Sequence, residues 1–181
     1  MTAHMVRRLA LLLLPAALLS AAPLHGQGSV SALRGHNTSA PLDIEADRIE
    51  VQDRLDRALF TGNVRVRQGD MAIDAQRLRV AYVKRGNSGD LEIQRVDADG
   101  AVTMRSPSET ARGNSGVYDV QNRLLTLIGN VRLERGQSVL NGQRLVINLD
   151  DGRSTLDGGT VQQGQSGGRV TGRFVVPQRN N

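Results

Sequence analysis

The sequence contains no cysteine and no tryptophan, and two tyrosines and two phenylalanines are its whole aromatic content in a chain of 181 residues. The absence of cysteine excludes a disulfide framework, a cysteine-ligated zinc site, a thiol nucleophile and the lipidation signal of a bacterial lipoprotein. A folded core must therefore be built from Val, Leu, Ile, Ala and Met. Because few rings are available for nucleic-acid bases to stack on, nucleic acid is not expected as a partner.

Groups that perform catalysis or bind metal are also scarce. His4 and His25 lie in or beside an N-terminal leader, which leaves His36 as the one histidine near the folded domain. The sequence has no Gly-rich phosphate loop and no cluster of His, Asp and Glu with the spacing of metal ligands. The stretch Asp97-Ala98-Asp99-Gly100 lacks the downstream ligands of a calcium loop. We therefore expect neither an enzyme nor a metal or other cofactor.

The N-terminal leader has the pattern of a secretory signal peptide. Two arginines precede an apolar run over residues 9–19, and small residues follow the run. Pro15 interrupts the run, which is shorter than the about 20 residues that span a bilayer. This favours cleavage over an uncleaved membrane anchor. We expect residues 1–26 to be a signal peptide, cut somewhere within residues 22–28, and the protein to be exported.

The exported chain is predicted to form one domain. Residues 27–40 are rich in Gly and Ser without periodicity and are interpreted as a flexible segment that leads into the domain. Residues 41–176 are long enough for one well-buried domain, and residues 177–181 are a short tail. The formal net charge is +5, but acidic and basic residues are interleaved. This pattern is typical of a solvated surface rather than of a charged docking patch.

A repeated unit runs through this domain. A Gly-x-Val motif begins each of four copies of the unit, and in each copy a small residue follows the glycine after the same interval. The pairs are Gly62 with Ala75, Gly100 with Gly113, Gly129 with Gly142, and Gly159 with Gly172. Apolar and charged residues alternate within each copy, as in residues 64–67 (VRVR), which predicts a strand with one buried face.

The alternation slips by one position at each small residue. Ala75, for example, is followed by Leu78 and Val80 rather than by residues of its own parity. Such a slip requires a bulge or corner, because the apolar set would otherwise turn toward water. A small side chain avoids a clash where the chain bends sharply. The unit is thus a hairpin-like pair of strands with a corner, and the fold is all-β.

Two parts of the chain resemble the OstA-like (LptA-type) domain of lipopolysaccharide transport proteins. The matching segments are residues 41–47 (PLDIEAD) followed by 60–64 (FTGNV), and residues 116–120 (GVYDV) leading into 127–131 (LIGNV). The resemblance covers residues 41–150 well and residues 151–181 weakly. It implies an open-ended β-jellyroll, in which two antiparallel sheets built from the repeated strand pairs form a V with an apolar interior.

The resemblance also implies a function, a location and partners. The protein would lie in the periplasm and bind lipopolysaccharide through its lipid A acyl chains. Protomers would stack head to tail and, with an LptC-like inner-membrane subunit and an LptD-like outer-membrane subunit, would bridge the two membranes. A covered route has a clear physical purpose, because exposing one twelve-carbon acyl chain to water costs about 10 kcal/mol at ~0.8 kcal/mol per CH₂.

The candidate lipid-binding residues are those predicted to face the interior of the V. Four of them follow from the segments that resemble the family, and the others follow from the alternation, which leaves the inverted facing open. The set is Leu42, Ile44, Val64, Val66, Ile73, Val102, Met104, Tyr118, Val120, Val131 and Leu133. From the residues alone, a closed core of packed Val, Leu and Ile is favoured over an open groove.

Two other functions remain open at this point. The first is a membrane-anchored LptC-like subunit of the same machine, which would keep the apolar leader. The second is a structural β-repeat protein of the cell surface, such as an adhesin, whose interior would be a closed core that binds no lipid.

Overall fold

The computed structural model describes Leu33 and residues 36–86, 90–159 and 168–175. Ten strands follow one another in these ranges, and the predicted all-β fold is confirmed. They are β1 Asp43–Glu45, β2 Arg48–Gln52, β3 Arg57–Gln68, β4 Met71–Arg85, β5 Asp90–Arg105, β6 Glu109–Asp119, β7 Leu124–Arg135, β8 Ser138–Asn148, β9 Ser154–Asp157 and β10 Thr171–Arg173. A 3-10 turn, Asp53–Leu55, joins β2 to β3.

The long strands β3 to β8 form an antiparallel meander in which each strand pairs with the next. At one edge, β1 and β2 both pair with β3, and at the other edge β9 and β10 both pair with β8. Each long strand therefore has two segments, one on each side of a bend. The result is the predicted open β-jellyroll of two antiparallel sheets, and we call these two sheets arm A and arm B.

Each arm takes one segment of every long strand. Arm A consists of β1, β10 and residues 64–68, 71–75, 102–105, 109–113, 131–135 and 138–142. Arm B consists of β2, β9 and residues 57–61, 77–85, 90–99, 115–119, 124–128 and 144–148. The bend between the arms is the corner, and the opposite side, where the strand ends of both arms lie, is the mouth.

The Gly-x-Val repeat builds the corner. Between β7 and β8 the pairing register shifts between Ile128 and Val131, and the intervening Gly129 and Asn130 have φ of 80° and 48°. Glycine and asparagine adopt this left-handed conformation most readily. A Cβ on Gly129 would also lie 2.6 Å from Nδ2 of Asn114 on the neighbouring strand. Both the backbone conformation and the packing thus require glycine here.

The same arrangement recurs along the corner. A polar side chain directly follows each small residue and lies against the Gly-x-Val glycine that comes next to it at the corner. The pairs are Asp47 with Gly62, Gln76 with Gly100, Asn114 with Gly129, and Gln143 with Gly159. The small residues were predicted from the sequence, but these polar partners were not. Their signal was available, because each directly follows Ala46, Ala75, Gly113 or Gly142.

The fourth copy of the unit departs from the first three. Gly172 was expected at the corner, in the position of Ala75 and Gly142, but it lies within β10 and pairs with Leu140 of arm A. That expectation was wrong because β10 itself takes the edge of β8 in arm A, so its glycine falls away from the bend. Val161 of the same copy lies outside the described residues.

The two arms enclose a single apolar core. In arm A a row of directly paired residues runs Ile44, Val66, Ile73, Met104, Ala111, Leu133, Leu140. In arm B the corresponding row runs Ile49, Phe60, Leu78, Ala98, Gly116, Leu127, Leu145, Leu156. Buried members of both rows belong to one cluster, so the arms pack face to face.

The chain that precedes β1 also joins this structure. Residues 36–40, which the composition assigned to a flexible segment, form hydrogen-bonded turns, and Leu33 is buried in the core. The expected signal peptide, the rest of that flexible segment and the tail at 177–181 lie outside the described residues. In the described part of the chain no helix is long and apolar enough to cross a membrane.

Candidate functional site

All eleven residues predicted to face the interior lie in the core or pack against it. Val64, Val66, Ile73, Val102, Met104, Tyr118, Val131 and Leu133 are buried, and Leu42, Ile44 and Val120 are half-buried. These side chains therefore lie on the core side of their strands. Whether these side chains contact a lipid stays a prediction.

The interior between the arms is packed in its middle. The space bordered by Ile73, Met104, Leu127 and Tyr118 has a volume of about 10 Å³. That is room for a single water molecule at most. In this part of the interior the side chains of the two arms interlock, so an acyl chain would have to displace them.

The interior opens at its C-terminal end. A chamber of about 630 Å³ lies there, and its apolar wall is formed by Leu133, Leu140, Leu145, Leu156 and Phe174. The volume is within the range of about 300–1,000 Å³ that is typical of ligand sites. Leu133 was predicted as a site residue, but the other four were not. For Leu140 and Leu145 the signal was present, because the alternation continues through β8.

The rim of the chamber is polar and balanced in charge. Arg135 forms an ion pair with Glu109, whose side chain is completely buried at the start of β6. Arg153 lies 3.3 Å from the carboxylate of Asp151. Each guanidinium at the rim therefore has a carboxylate partner. The chamber offers an apolar wall with polar groups at its mouth, which suits an amphiphile rather than a simple anion.

Nearer the N-terminal edge, a hydrogen bond between the two arms closes the mouth. The side chain of Gln68, at the end of β3, is 1% exposed, and its Oε1 accepts a hydrogen bond of 3.2 Å from the hydroxyl of Tyr118. Burial raises the pKa of Tyr118, so its phenol stays protonated and able to donate. Gln68 in arm A and Tyr118 in arm B thus tie the two arms together across the mouth.

Inward-facing apolar residues become exposed at both edges of the V. Ile49 and Val51 of β2 are 54% and 61% exposed, although Leu78 and Val80, two strands further along the same rows of arm B, are buried. Phe174, just after β10, is 68% exposed at the opposite edge. Exposed edge strands usually carry charges or are covered. The apolar lining therefore continues to solvent at each end.

The outer faces are charged and well paired. Asp74 lies 3.3 Å from Arg65 and also pairs with Arg105, while Glu134 accepts hydrogen bonds from Arg132 and Arg112 at 2.8 and 3.2 Å. Partial burial opposes ionisation of Asp74, but the two arginines lower its pKa. No group of three potential metal ligands occurs within the described ranges. This surface has the properties of a solvated face.

Comparison with known proteins gives a family match over most of the domain. The family described as LptA/(LptD N-terminal domain) LPS transport protein matches residues 43–153. An uncharacterised protein of Rhizobium meliloti is 35% identical over 157 residues, which cover 82% of this chain and 84% of that protein.

Two further similarities concern proteins of lipopolysaccharide export. The LPS-assembly protein LptD of Nitrosomonas europaea is 26% identical over 118 residues, or 65% of this chain and 16% of that protein. The chain thus spans about a sixth of that relative's length. The crystal structure of LptH, the LptA-homologous periplasmic component of the lipopolysaccharide transport device of Pseudomonas aeruginosa, superposes with a TM-score of 0.65. It covers 78% of this chain and 99% of LptH at 17% identity, and so shows the shared fold.

Proposed function

Because this chain belongs to the family of LptA and LptD N-terminal domain lipopolysaccharide transport proteins, we propose that it binds lipopolysaccharide through its lipid A acyl chains between the two arms. It carries the lipid across the periplasm as part of a protein bridge between the inner and outer membranes. The protein acts by covering the acyl chains and performs no covalent chemistry.

The C-terminal chamber is the observation that carries this proposal. Its wall of leucines and one phenylalanine continues the inward rows of both arms, so a lipid chain that enters it meets the same apolar surface as the core. Each buried CH₂ is stabilised by about 0.8 kcal/mol relative to water. The chamber takes the first chains, and the packed middle opens only when the arms separate about the corner.

The exposed apolar residues at the two edges support a head-to-tail bridge. Among the described residues, no further strand pairs with the outer side of β1 and β2 at one edge or of β9 and β10 at the other. Pairing one edge with the other in a second copy, or with an LptC-like or LptD-like subunit, would continue both arms. It would also cover Ile49, Val51 and Phe174.

A photo-crosslinking experiment tests lipid binding. A photoreactive residue at Leu140 faces the chamber, and the same residue at Val139 lies one position earlier on the opposite face of β8. We expect lipopolysaccharide to crosslink strongly at Leu140 and weakly at Val139. Equal labelling at both positions would contradict the proposal.

One observation favours a second candidate, a structural β-repeat protein with a closed interior. It is the packed middle, where the free space between the arms has a volume of about 10 Å³. Under this alternative, titration of the purified protein with lipopolysaccharide would show no saturable binding, and Leu140 would remain unlabelled. A saturable signal at Leu140 rejects it.

A further inference from the structure

The chain before β1 makes an ordered contact across the mouth. We call Leu33 together with residues 36–40 the strap. Gln68 Nε2 donates to the backbone carbonyls of Thr38 and Ala40, both at 3.0 Å, and Gln68 Oε1 accepts from His36 Nε2 at 3.2 Å. The strap also has its own backbone hydrogen bonds, including His36 N–H to Leu33 O at 3.0 Å.

The amide of Gln68 is used completely. Its oxygen accepts two hydrogen bonds, from His36 and Tyr118, and its nitrogen donates two, to the strap carbonyls. The reverse orientation would place the oxygen against two carbonyls, so the strap fixes how the amide is turned. A buried amide that lost these partners would carry a large desolvation penalty. The strap is therefore held at one specific place.

The strap also fills interior space. The Leu33 side chain is 1% exposed and belongs to the same core cluster as Val66, Met71 and Tyr118. It comes from the chain before β1, whereas the other buried members of that cluster lie within a long strand or directly after one. The interior is consequently asymmetric, because Leu33, Val66 and Met71 are buried together near the N-terminal edge, whereas a chamber is open at the C-terminal end.

We propose that the strap is a built-in gate, with Leu33 occupying the place that an acyl chain takes when the groove is loaded through to its N-terminal half. The proposal rests on the lipid-binding function proposed above and adds its regulation. With the strap closed, lipid binds in the chamber alone. When the strap leaves Gln68 and Leu33 leaves the core, the apolar route extends beneath β3 and β4. Strap and lipid thus compete for one volume.

Competition predicts the effect of weakening the strap. Leu33→Ser removes the buried side chain, and Gln68→Met removes the four hydrogen bonds at similar side-chain volume. A lipid that binds only the open state has an apparent Kd equal to its intrinsic Kd divided by the fraction of protein that is open. Both changes raise this open fraction, so both should strengthen binding in the N-terminal half. When the closed state loses the burial of one leucine side chain, the fraction of protein with an open strap rises by about tenfold or more.

The test uses two photoreactive positions in the exported full-length protein, titrated with purified lipopolysaccharide. Leu140 reports on the chamber, and Val66 reports on the interior beneath the strap. We expect the concentration for half-maximal labelling at Val66 to fall by about tenfold in Leu33→Ser and in Gln68→Met. At Leu140 it should change less than twofold. Gln137→Met, at an exposed glutamine in the β7–β8 turn, is the matched control and should change neither value.

The outcomes separate this proposal from the proposed function. Absence of labelling at Leu140 in every variant would reject lipid binding itself. Labelling at Leu140 with a Val66 response that is the same in wild type and strap variants would reject the gate alone. Leu33→Ser changes no residue of either arm, so it keeps the test valid if Gln68→Met fails to fold. Thermal unfolding of each variant shows which proteins are folded.

Discussion

At the scale of single residues, the inward positions of the strands are apolar along most of their length, but some are buried polar groups near the mouth. Val64 and Val66 continue the apolar alternation of β3, but Gln68, the next inward residue, is a buried amide. Glu109 is likewise a buried carboxylate at the start of β6. The alternation predicted the valines, because burial of aliphatic groups is periodic. It could not predict the polar pair, since their partners His36, Tyr118 and Arg135 are distant in the sequence.

The buried ion pair at the mouth should contribute to stability. Arg135→Ala leaves the carboxylate of Glu109, whose side chain is fully buried, without its guanidinium partner. Removing one partner of a fully buried ion pair costs about 3–5 kcal/mol. Because Arg135 is partly exposed, we expect a smaller loss, about 2–3 kcal/mol in the free energy of unfolding. Urea denaturation measures it. Arg132→Ala, on the solvated outer face, is the control and should cost less than about 1 kcal/mol.

The outer-face carboxylate Asp74 makes the stability depend on pH in a defined direction. Arg105 and Arg65 lower its pKa in the folded protein, against the opposing effect of burial. A lowered folded pKa stabilises the protein above the unfolded value of 3.8, and this contribution is lost as the pH falls through the folded pKa. Asp74→Asn should therefore reduce stability at pH 7 by less than about 1 kcal/mol. The difference from wild type should shrink below pH 4; a constant difference from pH 7 to pH 2 would contradict this assignment.

At the scale of elements, the corner is where the sequence repeat has its physical basis. Gly129→Ala places a Cβ both at a positive φ and against Asn114, so we expect a loss of about 2–4 kcal/mol in the free energy of unfolding. Gly136→Ala is the matched control, because Gly136 has φ of 55° with no atom near its Cβ position. It should show the conformational cost alone, about 1–2 kcal/mol.

A double variant separates the two contributions at the corner. Gly129→Ala combined with Asn114→Ala removes the side chain that the new Cβ would meet, but leaves the positive φ in place. The loss attributable to Gly129→Ala in this background should fall to the value measured for Gly136→Ala. An unchanged loss would mean that contact with Asn114 is unimportant.

The elements were predictable as far as local spacing determines them. The interval from each glycine to its small residue located three corners correctly, because a corner needs two small or left-handed positions on neighbouring strands. The fourth interval, from Gly159 to Gly172, has the same length but a different outcome. Which segment pairs with the edge of β8 depends on competition between stretches that are both able to pair. Spacing within one repeat contains no information about that competition.

At the scale of the whole molecule, the V exposes its lining at two ends, and the sequence could not foresee how unevenly it is filled. The predicted site was spread along the groove, whereas the open volume lies at the C-terminal end. Volume depends on how far side chains of both arms interdigitate and on where Leu33 inserts. Neither is encoded in the facing of individual residues.

The exposed N-terminal edge yields a prediction about assembly. Val51→Asp places a charge at the start of the interior surface, on β2, where the side chain is 61% exposed. If this edge pairs with the C-terminal edge of a second copy, the buried charge should weaken self-association by about tenfold or more, as measured by sedimentation over a range of concentrations. Its thermal midpoint should stay within a few degrees of wild type, because an exposed side chain contributes little to the core.

Leu91→Asp is the control: Leu91 is 58% exposed, but it lies in the hairpin of β4 and β5, away from both edges. Equal weakening by both variants would show that the association is nonspecific, and a monomer at all concentrations in wild type would contradict head-to-tail stacking of this chain with itself.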